Sequence, residues 1–188
     1  MEANSSRCVE ESIPLTPVKL EMYRGDSFQV VVDKPEYALA IAIALRAKLK
    51  AETPDGQKLW DARLAVGVGD ISFESDNIVT SDGEAFRLSG HSFDHIGKKR
   101  LSISTPWPDF NTNIELVTRF ADDLITSWTA KQARVVYQSM LFPKLQKDLA
   151  EELDMTRQNF NYHWSSARGQ LILDYIEYFK SLISKYIR

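Results

Sequence analysis

Arg157, Gln158, Asn161 and Tyr162 fall on the outer side of one short helical stretch, and their chemistry suits the edges of DNA bases. A guanidinium can fork onto guanine O6 and N7 or hold a phosphate. The amides of Gln158 and Asn161 match adenine N6 and N7, and Tyr162 offers a ring to a thymine methyl or a hydroxyl to a phosphate. Lys147 and Thr156 flank these residues where contacts to the sugar-phosphate backbone would position without specifying.

The residues that must present them run from Lys144 to Trp164. The pattern predicts a helix, a sharp turn and a second helix, the layout of a helix-turn-helix. Leu149, Ala150 and Leu153 face inward, Ala150 being small where the second helix crosses. Asp154 stands where the turn needs a left-handed backbone, which Asp tolerates. Met155 fills the space under the turn, Thr156 caps the second helix, and Phe160 points into the core with His163 and Trp164 beside it. Asn159 lies between the faces and takes no role. The bland alternative is a packed helical module whose polar face meets protein, since this motif also serves as an adaptor.

Other combinations are weaker. Arg24, Asp26 and Asp70 could form a nucleotide or phosphate site, but Arg24-Gly25-Asp26 also reads as a hairpin turn. Gly67-Val68-Gly69-Asp70 lacks the later Gly and the Lys of known phosphate loops, so its glycines point to close packing. His91 and His95 share a helical face without an evident third ligand, and no metal is expected. Nucleophile-elbow, zinc-protease and Walker patterns are absent, and no cofactor is implied. Cys8 has no partner for a disulfide.

The chain has 188 residues, 44% of them hydrophobic, and a net charge of −3, enough for a substantial core. Carboxylates outnumber cations before Thr129 and the reverse holds after it, so net acidity does not exclude DNA. Residues 1–17 form a polar leader. Strands are predicted at 18–23 and 27–32, a helix at 34–51, a strand at 62–68, a polar loop at 74–82, a helix at 83–95 and a strand at 99–104. Pro106-Trp107-Pro108 breaks the chain, and the rest is helical: 111–127 with Ile114, Val117, Phe120, Leu124 and Ile125 on its apolar stripe, 129–141, the turn motif, and 171–187. This order predicts an α+β domain at 18–105, an incomplete ferredoxin-like sheet, and an all-α domain at 111–188. The apolar flank of the last helix calls for a partner, either the first domain or a second copy. The absence of an apolar run of membrane-spanning length or a signal peptide predicts a cytoplasmic protein without membrane contact.

Four stretches, in order, resemble the SatD-like family: Tyr23-Arg24-Gly25-Asp26-Ser27-Phe28-Gln29, Arg63 to Asp70, Asp82 to Gly90, and Trp128-Thr129-Ala130-Lys131-Gln132-Ala133 leading into the turn motif. The resemblance implies a nucleotide-cyclase-like ferredoxin fold followed by a helix-turn-helix. The family opens with an apolar strand bearing Gly-Asp and then a helix, where this chain has its polar leader. Asp26 matches the hairpin carboxylate of cyclases, whose two carboxylates hold Mg²⁺, but the first-strand carboxylate has no counterpart. The expectation is therefore a non-enzymatic cytoplasmic transcriptional regulator. It would bind double-stranded DNA as a homodimer, with a degenerate cyclase-like domain sensing a small molecule or nucleotide. The rival expectations are a nucleotide-binding or cyclase-type phosphoryl-transfer protein and a non-catalytic protein-binding scaffold.

Overall fold

The computed structural model describes residues 19–23, 27–70, 83–142 and 144–187. Alternating residues give β1 (Lys19–Tyr23) and β2 (Ser27–Val31), an antiparallel pair with Tyr23 opposite Ser27. A 3-10 turn at Pro35–Tyr37 leads into α1 (Ala38–Ala51), where proline's fixed φ suits the entry. Then come β3 (Leu64–Gly67), α2 (Glu84–Asp94) and β4 (Leu101–Ser104), with β3 and β4 parallel. Five helices follow: α3 (Pro108–Ser127), α4 (Ala130–Leu141), α5 (Gln146–Glu152), α6 (Arg157–Ser166) and α7 (Gly169–Ile183).

The architecture is α+β, with helices dominating. Its described strands form two separate two-stranded sheets, and no ladder joins β2 to β3. The glycine of β3 is there for contact. A Cβ on Gly67 would lie 2.2 Å from the Ala85 carbonyl oxygen, so α2 can rest this close only on glycine.

The chain segment expected to divide two domains is not a loose linker. Asn111 accepts bonds from both the Thr105 N–H and hydroxyl at 3.0 Å and donates to the Thr105 carbonyl at 2.8 Å, clamping β4 to the start of α3. Nor does the packing break there. α1 makes its most extensive contact with α4, and one hydrophobic core runs from Leu39 and Ile43 through Phe110 and Ile125 to Ile172 and Phe179.

α7 meets one of its two expected partners, and α3 buries a different face from the one expected. The apolar flank of α7 is spent inside the chain: Ile172, Phe179 and Ile183 are fully buried, and Phe110 meets Phe179 edge-on with ring centroids 5.8 Å apart. The seam on which a homodimer was expected is therefore not available. On α3, Ile114 and Ile125 are buried, but Val117 and Phe120 lie exposed beside Leu116. The helix is rotated to turn Asp122 and Thr118 inward, which moves Val117 and Phe120 out. Thr118 donates to the Ile114 carbonyl and shares a 2.7 Å bond with the Tyr175 hydroxyl. Burial pushes the Tyr175 phenol pKa upward. Phe93 of α2 is exposed under the Arg63 guanidinium.

Asp122 faces inward because of Arg46, which is fully buried on α1. The Arg46 guanidinium donates twice to Asp61 at 2.9 Å, to Asp122 at 2.7 Å and to the Thr126 hydroxyl at 2.9 Å. Lys50, one turn later, donates to the Thr126 carbonyl at 3.0 Å and lies 3.4 Å from Asp61. Asp122 also accepts from the Arg100 backbone N–H at 2.8 Å. Burial lowers the Lys50 pKa against the opposing pull of Asp61. Burial also works against the Asp61 carboxylate, but the bonds and charge of Arg46, with Lys50, hold its pKa below the ordinary 3.8.

A carboxylate with a depressed folded pKa stabilises fully above its unfolded value, and that contribution fades as pH falls through the folded one. Asp61→Asn should therefore cost about 3–5 kcal/mol near neutral pH, because it removes one of the two carboxylates paired with the buried guanidinium and leaves Asp122 to balance both Arg46 and Lys50. In urea unfolding, the gap between wild type and variant should narrow as pH is lowered below about 4. A gap of constant size across that range would show that the charge of Asp61 is not what holds the cluster.

Candidate nucleic-acid interface

The turn between α5 and α6 is built as its residues dictate. Asp154 has φ 50, the left-handed conformation the turn needs. The Met155 N–H reaches the Ala150 carbonyl at 3.0 Å, closing the turn over the small side chain. Thr156 is extended, and its hydroxyl oxygen accepts the Asn159 N–H at 3.1 Å, capping α6. Phe160 is fully buried in a small core with Leu149, Ala150 and Val135, and Leu153, Met155 and Trp164 pack against it. Val135 comes from α4, whose Ala133, Val136 and Met140 enter the main core instead. A capping box between Thr129 and Gln132 starts that helix.

The far end of α6 is also tied down. The buried Trp128 indole donates to the Ala167 carbonyl at 2.9 Å. Trp164 lies against Gly169, where a Cβ would come within 2.3 Å of its ring. Arg168 between them is left-handed, with φ 56. These contacts set the pitch of α6 against the body of the protein.

On this support Arg157, Gln158, Asn161 and Tyr162 are all exposed, Tyr162 at 66%, so the face proposed for base contact stands clear of the other described residues. Lys147 and Thr156 are exposed as well. His163 differs from its expected place beside Phe160: it is half-buried and turns toward α4. With Asn159, Thr156, Asp154, Lys131 and Arg134 it lines a cleft of about 310 Å³ between the α5–α6 turn and the first turn of α4. Sequence reasoning missed Lys131, Arg134, His163 and Asn159. The capping box locates Lys131 in a first turn, but only the packing of α6 on α4 brings it to His163. The outer side of α5 is acidic, with Asp148, Glu151 and Glu152 exposed, and Lys144 is paired with Glu152.

The other candidates are not gathered into a comparable site. Arg24 and Asp26 lie outside the described residues, as does Cys8. Asp70 is exposed, and its carbonyl accepts the Ala85 N–H at 3.3 Å, at the start of α2. The Glu84 carboxylate comes within 2.9 Å of where a Gly69 Cβ would stand, so this helix end is met by acid and disfavours phosphate. The rings of His91 and His95 lie 4.4 Å apart, and His95 Nδ1 is engaged with the His91 carbonyl at 2.8 Å. Among the described residues no three potential metal ligands cluster, and no helix is long and apolar enough to cross a membrane.

Thr156→Ala should cost about 1 kcal/mol of stability through the lost cap. Gly169→Ala should cost about 1–3 kcal/mol, because the added methyl overlaps Trp164. Thermal unfolding measures both, and near-ultraviolet circular dichroism should report a moved Trp164 only in Gly169→Ala. In comparisons with protein-family models, curated proteins and solved structures, nothing matches this chain.

Proposed function

We propose that this chain is a cytoplasmic DNA-binding transcriptional regulator in which α6 reads the major groove. The observation that carries the reading is the division of α6 itself. Phe160 is fully buried and Thr156 caps the helix, while Arg157, Gln158, Asn161 and Tyr162 are left exposed together on a rigidly seated helix. The amides favour adenine, Arg157 favours guanine or phosphate, and Tyr162 favours a thymine methyl. A single α6 supplies few base contacts, so a useful site calls for two copies on paired half-sites. With α7 buried in its own chain, that pairing has to use another surface.

We further infer that the amino-terminal part is a degenerate cyclase-like ferredoxin fold of SatD-like type, serving as the sensing domain for a small molecule or nucleotide. The order β1, β2, α1, β3 supports this. The acidic outer side of α5 favours a second reading, a scaffold that binds protein through the helical part.

Titration with double-stranded DNA at two salt concentrations separates the readings, because phosphate contacts must weaken steeply with salt. Gln158→Ala should cost about 1–3 kcal/mol and relax preference at one base pair. Equal losses on every sequence would remove Gln158 from base reading. Absence of salt-dependent binding to any duplex would favour the scaffold.

A further inference from the structure

We propose that the cleft between the first turn of α4 and the amino-terminal half of α6 seats a phosphate group. Lys131 and Arg134 bring two cationic side chains to it, and His163 stands on the α6 side. The guanidinium of Arg134 is braced by a 3.0 Å bond to the Ala51 carbonyl at the end of α1, near the charge of Glu52, and that bond uses one of its five N–H donors. The Thr156 hydroxyl uses its oxygen to accept the Asn159 N–H, which leaves its own hydrogen to donate. The Asn159 amide adds two donors, and the positive end of the α6 dipole points the same way. The one opposing charge in the lining is Asp154.

The volume of about 310 Å³ lies at the lower end of small-molecule sites, ample for a phosphate group and part of the molecule that carries it. The neighbouring outer side of α5 is acidic, so the cleft is the attractive place for an anion beside the reading face. A backbone phosphate of a duplex and a free phosphomonoester share this chemistry. The proposal does not require α6 to read bases.

The test uses the full chain, inorganic phosphate and random-sequence duplex DNA, with Lys131→Gln, Arg134→Gln and Asn159→Asp. Phosphate should move the backbone amide signals of residues 156–159 saturably in the wild type. Each variant should bind it at least about tenfold more weakly, Asn159→Asp most of all, because it sets a carboxylate against the anion. Lys131→Gln and Asn159→Asp leave the bond to Ala51 intact, and urea unfolding confirms that they fold. If the phosphate comes from DNA, the slope of log affinity against log salt should fall by about 0.9 in the variants. Phosphate binding with that slope unchanged, or with no DNA binding at all, assigns the cleft to a free phosphorylated ligand. No saturable shift with phosphate, together with an unaltered DNA slope, overturns the proposal.

Discussion

The arrangement of this protein depends on how a fully buried arginine is neutralised. Arg46 sits in the middle of α1, on a helix otherwise made almost entirely of Ala, Leu and Ile, with its side chain fully shielded from bulk solvent. An unpaired charge there is prohibitive, so the surroundings must deliver anions in bonding geometry. Asp61 arrives from the segment before β3 and Asp122 from α3, and Thr126 and Lys50 complete the cluster. Each partner constrains an element: α1 is fixed in rotation, β3 is held at its approach, and α3 turns its carboxylate inward. The exposure of Val117 and Phe120 follows from that rotation. Directional bonds to a buried cation constrain the helix more tightly than non-directional apolar contact does.

A second constraint is the double duty of α4. Ala133, Val136 and Met140 belong to the main core and Val135 to the small core under the turn motif, so one helix is packed on two sides. With the bond from Trp128 to Ala167 and the contact of Trp164 with Gly169, this fastens α6 to the body at both ends. A rigid mounting suits recognition, because base contacts require the helix to be held at a defined pitch. It also gives the amino-terminal part a mechanical route to α6: α1 rests on α4, and α4 carries the turn motif.

The turn motif was legible from local chemistry. Asp154 tolerates a left-handed backbone, Thr156 carries a capping hydroxyl, and the spacing of Leu149, Ala150 and Phe160 defines an inner face, so the outward placement of Arg157, Gln158 and Asn161 followed. The hairpin, α1, α2 and β4 were legible for the same reason, since their periodicity and turn residues act over a few positions. Long-range pairing was not. Nothing local to Asp61 or Asp122 tells that they meet one arginine, and nothing local to Lys131 and His163 tells that they share a cleft.

The sequence by itself determined the order and type of the elements and the chemistry offered by α6, because backbone preference, capping and side-chain period are short-range effects. Only the tertiary structure decided that both halves share one core, that α7 fills that core instead of seeking a second copy, and that α3 leaves Phe120 in the open. An apolar stripe states that a helix must bury a face, but not against what. That choice is made by the volume to be filled and by the bonds a buried charge demands from residues far apart in the chain.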